Sequence, residues 1–267
     1  DATCGDVMSV WKRVRQNARE QVTSIIHGKA WHEETKATSS QAKAFENGHY
    51  LVVFDLEETD YLCRYITRGG DREAFLKRFE GATSDGFDPD EHLLAIGLAN
   101  QTTMLRGETE EVQRRLRAAM IEKYGEDAIS EHFRYFDTIC GATQERQDAL
   151  RDLLNRPMDL LLVVGGYNSS NTSHLAEMGE GKVPTYFIKD ATEMESAQQL
   201  HHFLQHTHKM ALAEDWLTLK GKLTVGITAG ASCPNNLIEE VILRIYELRG
   251  APAREVLGSI QAIQDAP

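Results

Sequence analysis

The sequence predicts an α/β protein built from repeated three-layer α/β domains with mainly parallel sheets. Three observations predict it. Short apolar runs alternate with stretches of helical periodicity, the pattern of strand–helix–strand units. The same order of motifs recurs after about 130 residues, a duplicated domain rather than a solenoid. Each apolar run ends in a polar turn, and parallel sheets bind ligands beyond the carboxyl ends of their strands.

The elements follow in order. Asp1-Ala2-Thr3-Cys4 reads as a strand end cut within a domain. A helix follows over 6–20, with Val7, Val10, Trp11 and Val14 on one face. A strand over 22–26 ends in His27-Gly28 and enters the turn His32-Glu33-Glu34-Thr35. Residues 68–89, rich in Gly, Asp and charge, read as an exposed connection. A strand over 93–97 leads to Asn100-Gln101-Thr102-Thr103.

The second half repeats this order. Asp137-Thr138-Ile139-Cys140 precedes a helix over 143–154 with Leu150, Leu153 and Leu154 apolar. A strand over 160–164 ends in Gly165-Gly166 and enters Asn168-Ser169-Ser170-Asn171. Residues 181–221 hold a strand over 185–188 and a long polar helical region with His201, His202, His206 and His208. A strand over 223–227 leads to Thr228-Ala229-Gly230-Ala231-Ser232. Cys4 to His32 is 28 residues and Cys140 to Ser169 is 29. The expected boundaries are 1–4 (the end of a first domain that is missing), 5–136 and 137–267. The first residue is Asp1, not Met, so the chain reads as a fragment.

Composition narrows the function. Of 267 residues, 29 are Lys or Arg and 41 are Asp or Glu, a net charge of −12. An acidic chain with no dense basic stripe is a poor partner for nucleic acid or anionic membranes. No apolar run approaches the roughly 18 residues of a membrane helix. The four cysteines, Cys4, Cys63, Cys140 and Cys233, form no C-x-x-C pair, so zinc ribbons and thioredoxin-type motifs are disfavoured. Cys63 and Cys233 read as reduced, buried thiols in a cytosolic protein.

Asn168 to Ser173 is six consecutive capping-type residues after a buried strand. Backbone N–H groups at a helix start, with hydroxyls and amides, make a neutral anion cradle. The plain reading, a helix cap, needs only one of them. Neither a Walker A lysine nor a G-x-G-x-x-G is present. Thr228 to Ser232 follows the same logic, with a simple capped turn as the alternative, and Pro234 starts the next helix. His32 and Glu34 form a candidate acid–base pair, with Thr102 positioned to bridge Glu34 to a substrate hydroxyl. A solvated helix start is the other reading of His-Glu-Glu. Cys4 and Cys140, on equivalent loops, suggest thiolate ligands of an iron–sulfur cluster, one from each lobe. His202 and His206, read on one helix face, are a weak metal candidate beside a solvated helix.

Six stretches, in order along nearly the whole chain, resemble the 4-hydroxy-3-methylbut-2-enyl diphosphate reductases, the LytB family. They are Asp1–Cys4, His32–Thr35, Gln101–Thr103, Asp137–Gln147, Val163–Asn171 and Thr228–Ser232. The resemblance implies an iron–sulfur oxidoreductase of the non-mevalonate isoprenoid pathway. It removes the allylic hydroxyl of a diphosphate substrate, giving isopentenyl and dimethylallyl diphosphate. It implies three α/β lobes in a trefoil around a [4Fe–4S] cluster, of which this chain would supply two. By the resemblance, Cys4 and Cys140 are cluster ligands, Glu34 the proton donor and Thr102 its relay. His32 then lies at the diphosphate and assists proton delivery. Ser169, Ser170, Asn171 and Ser232 form the diphosphate cradle.

The family's first domain, one cluster cysteine and two diphosphate histidines have no counterpart in this sequence, so the chain is expected to be inactive or nearly so. Cys63 sits in no matching motif, and Cys233 lies beside the cradle serine. The resemblance also implies an electron donor of ferredoxin or flavodoxin type. Arg114 to Arg117 is a docking candidate, beside the reading of a solvated face. The expected compartment is the bacterial cytoplasm, with a plastid stroma as alternative. The competing function is a non-enzymatic phosphate- or diphosphate-binding protein without a cluster. A purely structural α/β assembly domain is a third reading.

Overall fold

The computed structural model describes residues 4–136, 139–218 and 221–251. The chain divides into two compact units, Asp1–Gly141 and Ala142–Pro267. The sequence expectation divided it at 136. Asp1 to Thr3, Asp137 and Thr138, on which parts of the Asp-x-x-Cys reading rest, lie outside the described residues.

In the first unit Cys4 occupies the N-cap position of α1 (Gly5–Arg19), which buries Val10, Val14 and Ala18. Then come β1 (Thr23–His27), α2 (Glu33–Ala42), β2 (Tyr50–Val53) and α3 (Leu56–Arg68). The helices α4 (Arg72–Arg78) and α5 (Pro89–His92) precede β3 (Ile96–Asn100). α6 (Arg106–Tyr124), α7 (Ile129–His132) and β4 (Phe133–Tyr135) complete the unit. The sheet runs β2-β1-β3-β4, all parallel. β1 and β3 are buried along their whole length, as strands covered on both faces are. Alternate residues feed two cores. Ile25 and Leu98 meet Leu62, Ile66, Val112 and Leu116 of α3 and α6, while Ala99 meets Val10 and Val14 of α1 and Ala42 of α2. Period-2 alternation thus gives three layers.

The second unit opens with α8 (Gly141–Leu154), β5 (Leu160–Val164), α9 (Ser170–Gly179) and β6 (Thr185–Ile188). A 3-10 turn (Ala191–Glu193) leads to the hairpin β7 (Gln199–Leu204) and β8 (Lys209–Glu214). β9 (Val225–Ala229) and α10 (Asn235–Leu248) follow. The order is β8-β7-β6-β5-β9, parallel across β6, β5 and β9 and antiparallel at the hairpin. Leu160, Leu162 and Val164 pack with Val241 and Ile245 of α10. Leu161 and Val163 pack with Leu150 of α8 and Leu175 of α9.

The two units repeat each other down to single hydrogen bonds. Gly28 N donates to Val53 O at 2.9 Å, and Gly165 N to Ile188 O at 3.0 Å. Gln101 N donates to His27 O at 2.8 Å, and Gly230 N to Val164 O at 3.1 Å. These pairs align β1 with β5, β2 with β6 and β3 with β9. They make His32 and Ser169 equivalent, and each is the N-cap of its helix. The glycine after the first strand is required in both. A Cβ on Gly28 would lie 3.0 Å from Thr35 Oγ1, and one on Gly165 would lie 2.9 Å from Thr172 Oγ1.

Four expectations are corrected. Residues 68–89 are not an exposed connection: α4 is capped by Asp71, and Phe75, Phe79 and Phe87 are buried in the main core. The charged residues between them mask three core aromatics. The strand expected over 93–97 is β3 at Ile96–Asn100. Leu93 is buried as the C-cap of α5, a helix started by Asp88 and Pro89. The strand expected over 223–227 is Val225–Ala229, two residues on. The polar helical region around His201 to His208 is the β7–β8 hairpin. His202 lies on β7 and His206 in the turn, where its Nε2 meets Glu180 at 2.7 Å, so no helix face joins the two.

Candidate functional site

The candidate residues gather at the carboxyl ends of the strands, separately in each unit. In the first unit, His32 caps α2: its Nδ1 accepts from Glu34 N at 3.2 Å, which leaves the proton of a neutral ring on Nε2. That bond begins the helix and turns Glu34 toward the end of β3. There Glu34 Oε1 accepts from Thr102 N at 2.6 Å. Burial pushes the Glu34 carboxyl above its ordinary range, and the N–H and hydroxyl of Thr102 pull against that shift without overcoming it. Thr102 is itself buried, and its carbonyl accepts from Cys140 N at 3.0 Å. Glu34, Thr102 and Cys140 are therefore joined through one peptide segment.

Gln101, not singled out as a site residue from the sequence, positions this cluster. Its Oε1 accepts from Lys29 N at 3.2 Å and Thr35 Oγ1 at 3.1 Å, and its Nε2 donates to Thr103 Oγ1 at 2.7 Å. It ties the turn after β1, the body of α2 and the turn after β3 together. The signal available in the sequence was a polar residue where the second unit has Gly230.

Cys4 is exposed at the start of α1, and Cys140 is half-buried immediately before α8. Helix starts favour negative charge. Burial pushes the Cys63 thiol up to about 12 and raises that of Cys233, so these two hold their protons. Among the described residues no group of three or more His, Cys, Asp or Glu is arranged to hold a metal. The described residues thus supply two thiols at helix starts, Cys4 and Cys140, and do not complete the ligand set of a four-iron cluster.

In the second unit Ser169 caps α9. Its Oγ accepts from Thr172 N at 3.3 Å and Thr172 Oγ1 at 3.0 Å. A hydroxyl with both acceptor positions filled still has its proton to donate. Ser170, Asn171, Thr172 and Ser173 are all buried. Among the described residues, the amide of Asn171, 5% exposed, has no hydrogen-bond partner on Nδ2 or Oδ1. A buried amide left unpaired costs about 1–3 kcal/mol, so it calls for a partner such as a bound ligand or water. Ser232 is exposed on the turn after β9. That turn begins at Gly230, where a Cβ would lie 2.2 Å from Thr172 Oγ1, so the end of β9 abuts the first turn of α9.

The arginine cluster named as a docking candidate, beside the reading of a solvated helix face, is ion-paired. Arg114 pairs with Glu111 at 2.6 Å, Arg115 with Glu111 and Asp60 at 2.7 and 2.8 Å, and Arg117 with Glu126 at 2.5 Å. Arg114 and Arg115 pair with Glu111 at i,i+3 and i,i+4 along one helix face, while Asp60 and Glu126 reach Arg115 and Arg117 from outside that spacing. Among the described residues, no helix is long and apolar enough to cross a membrane.

Comparison with known proteins places the chain in a family. A model of the family described as LytB protein matches residues 1–246. The 4-hydroxy-3-methylbut-2-enyl diphosphate reductase of Gloeobacter violaceus is 48% identical over 263 residues, 98% of this chain and 62% of that protein. The enzyme of the same name from Thermosynechococcus vestitus is 49% identical over 250 residues, 93% of this chain and 60% of that protein. The chain thus spans about 60% of the length of these relatives. The solved E-1-hydroxy-2-methyl-but-2-enyl-4-diphosphate reductase of Plasmodium falciparum shares the fold, with a TM-score of 0.59 at 20% identity over 91% of this chain and 58% of that one. The chain belongs to the LytB family.

Proposed function

We propose that this chain carries the diphosphate-binding and proton-delivering part of a 4-hydroxy-3-methylbut-2-enyl diphosphate reductase, the last enzyme of the non-mevalonate isoprenoid pathway. The reaction takes two electrons and two protons, releases the allylic hydroxyl as water and leaves isopentenyl or dimethylallyl diphosphate. The observation that carries the reading is the buried, unpartnered amide of Asn171 in the first turn of α9. Ser169, Ser170, Asn171 and Ser232 hold the diphosphate through hydroxyls, an amide and the helix start. Glu34, kept protonated to higher pH by burial, delivers a proton to the departing hydroxyl, and Thr102 orients it. His32 lies at the diphosphate and assists that proton transfer.

The electrons belong to a [4Fe–4S] cluster, of which Cys4 and Cys140 would be two ligands. The described residues do not complete that set, so the chain alone is expected to turn over little or no substrate. Electrons reach such a reductase from a ferredoxin- or flavodoxin-type donor, and the expected compartment is the cytoplasm or a plastid stroma. A second reading is a diphosphate-binding protein without redox chemistry, resting on the same buried amide of Asn171. Titration with the hydroxylated allylic diphosphate and with dimethylallyl diphosphate separates the two. In the reductase reading Glu34→Ala weakens the first several-fold, by about one hydrogen bond, and leaves the second unchanged. In the binding-only reading Glu34→Ala changes neither. Absence of any diphosphate binding contradicts both.

A further inference from the structure

Tyr167 immediately precedes the polar run of the cradle, and its surroundings are unusually complete. Its ring stacks on Phe203 at 4.6 Å, with the planes 16° apart, and meets Phe187 edge-on at 5.2 Å. Its hydroxyl donates to Glu193, whose other oxygen accepts from Lys189 N at 2.8 Å. At the far side of the same run, Ser173 Oγ accepts from Gln205 Nε2 at 2.7 Å, with both residues buried. Phe203 lies near the end of β7, and Gln205 just beyond it. The hairpin therefore grips the cradle before Asn168 and again after Thr172.

Among the described residues the first unit shows no such hairpin. After its second strand it continues into α3, α4 and α5, and its equivalent turn is closed from inside by Gln101. In the second unit the residue equivalent to Gln101 is Gly230, which has no side chain to do this. The brace has moved from the turn after the third strand to a hairpin added at the sheet edge.

We propose that Phe203 and Gln205 of the β7–β8 hairpin are positioning residues for the anion cradle, holding the segment from Asn168 to Thr172 in its binding geometry. The proposal rests on the cradle reading given above. An unpaired buried amide such as that of Asn171 binds a ligand only if its position is fixed by neighbours that do not touch the ligand. The stack on Tyr167 and the bond to Ser173 provide that fixing from outside the site.

Calorimetric titration of the whole chain with inorganic diphosphate tests this. Phe203→Leu and Gln205→Ala are each expected to weaken binding about fivefold, and the pair more than tenfold, as lost ring stacking and one lost buried hydrogen bond imply. Phe203→Tyr, which keeps the stack, is expected to restore affinity to within twofold. Leu212→Ser, at an exposed position of β8, serves as the control and should leave affinity unchanged. Thermal melts confirm that each variant is folded, and Gln205→Ala, which leaves the aromatic stack intact, decides the matter if Phe203→Leu unfolds. Affinity within twofold of wild type in folded Gln205→Ala and in the double variant overturns the proposal while leaving the cradle standing. No diphosphate binding by the wild-type chain overturns the cradle reading and this proposal with it.

Discussion

Thr102 donates its backbone N–H to Glu34 Oε1 across 2.6 Å, joining the start of α2 to the turn after β3. The same residue passes its carbonyl to Cys140 N at 3.0 Å. The proposed proton donor, its proposed orienting partner and a candidate metal ligand are thus joined through main-chain atoms of Thr102, which no side-chain substitution there removes.

The raised Glu34 carboxyl has a consequence for stability. A carboxyl whose folded pKa lies above its unfolded value of about 4.5 binds more protons folded than unfolded. Stability is then lost as pH rises from that unfolded value through the raised folded one. Glu34→Gln removes this cost. Its Tm at pH 7 should exceed that of the wild type, and the difference should vanish below about pH 4, near the ordinary carboxylate range. Equal Tm values at both pH values would show that Glu34 is not held protonated by burial.

His49 moves in the opposite sense. Its ring stacks on His92 at 3.6 Å, its Nδ1 bonds to Ser84 Oγ at 2.9 Å, and burial and the neighbouring imidazole hold its pKa below the usual 6.5. The unfolded chain takes up the proton first as pH falls, so stability is full above about 6.5 and declines below it. Urea unfolding between pH 8 and pH 5 should show that decline, and His49→Phe should flatten it.

Phe75 tests the correction to residues 68–89. Its ring is fully buried against Tyr65 and Phe79 at 4.5 and 4.8 Å. Phe75→Ala should cost about 3–5 kcal/mol in denaturant unfolding. A cost near zero would restore the exposed connection.

Much of the fold was legible because strand burial and turn chemistry are local. Leu160 to Val164 is an uninterrupted apolar run, and Ser169 is a capping residue in the place where a cap is needed. The hairpin was not legible because four histidines hide a two-residue alternation. Leu200 faces the core while the flanking Gln199 and His201 face water, a pattern too weak beside the polar composition to distinguish strand from helix. Phe75, Phe79 and Phe87 were missed for a similar reason, since charge dominates their segment. The candidate residues themselves could be named from motif order. Their connection through the Thr102 backbone could not, since main-chain bonds leave no mark in residue type. Gln101 and Tyr167 were missed because a positioning side chain has no motif of its own.

The central claim is that the first turn of α9 is a diphosphate cradle, and Asn171 tests it most directly. The account predicts that Asn171→Ala raises the Kd for inorganic diphosphate at least tenfold, about 1.4 kcal/mol. It also predicts that the Tm is unchanged or higher, because a buried amide without a partner has been removed. An unaltered Kd with a lowered Tm would make Asn171 a structural residue and contradict the account.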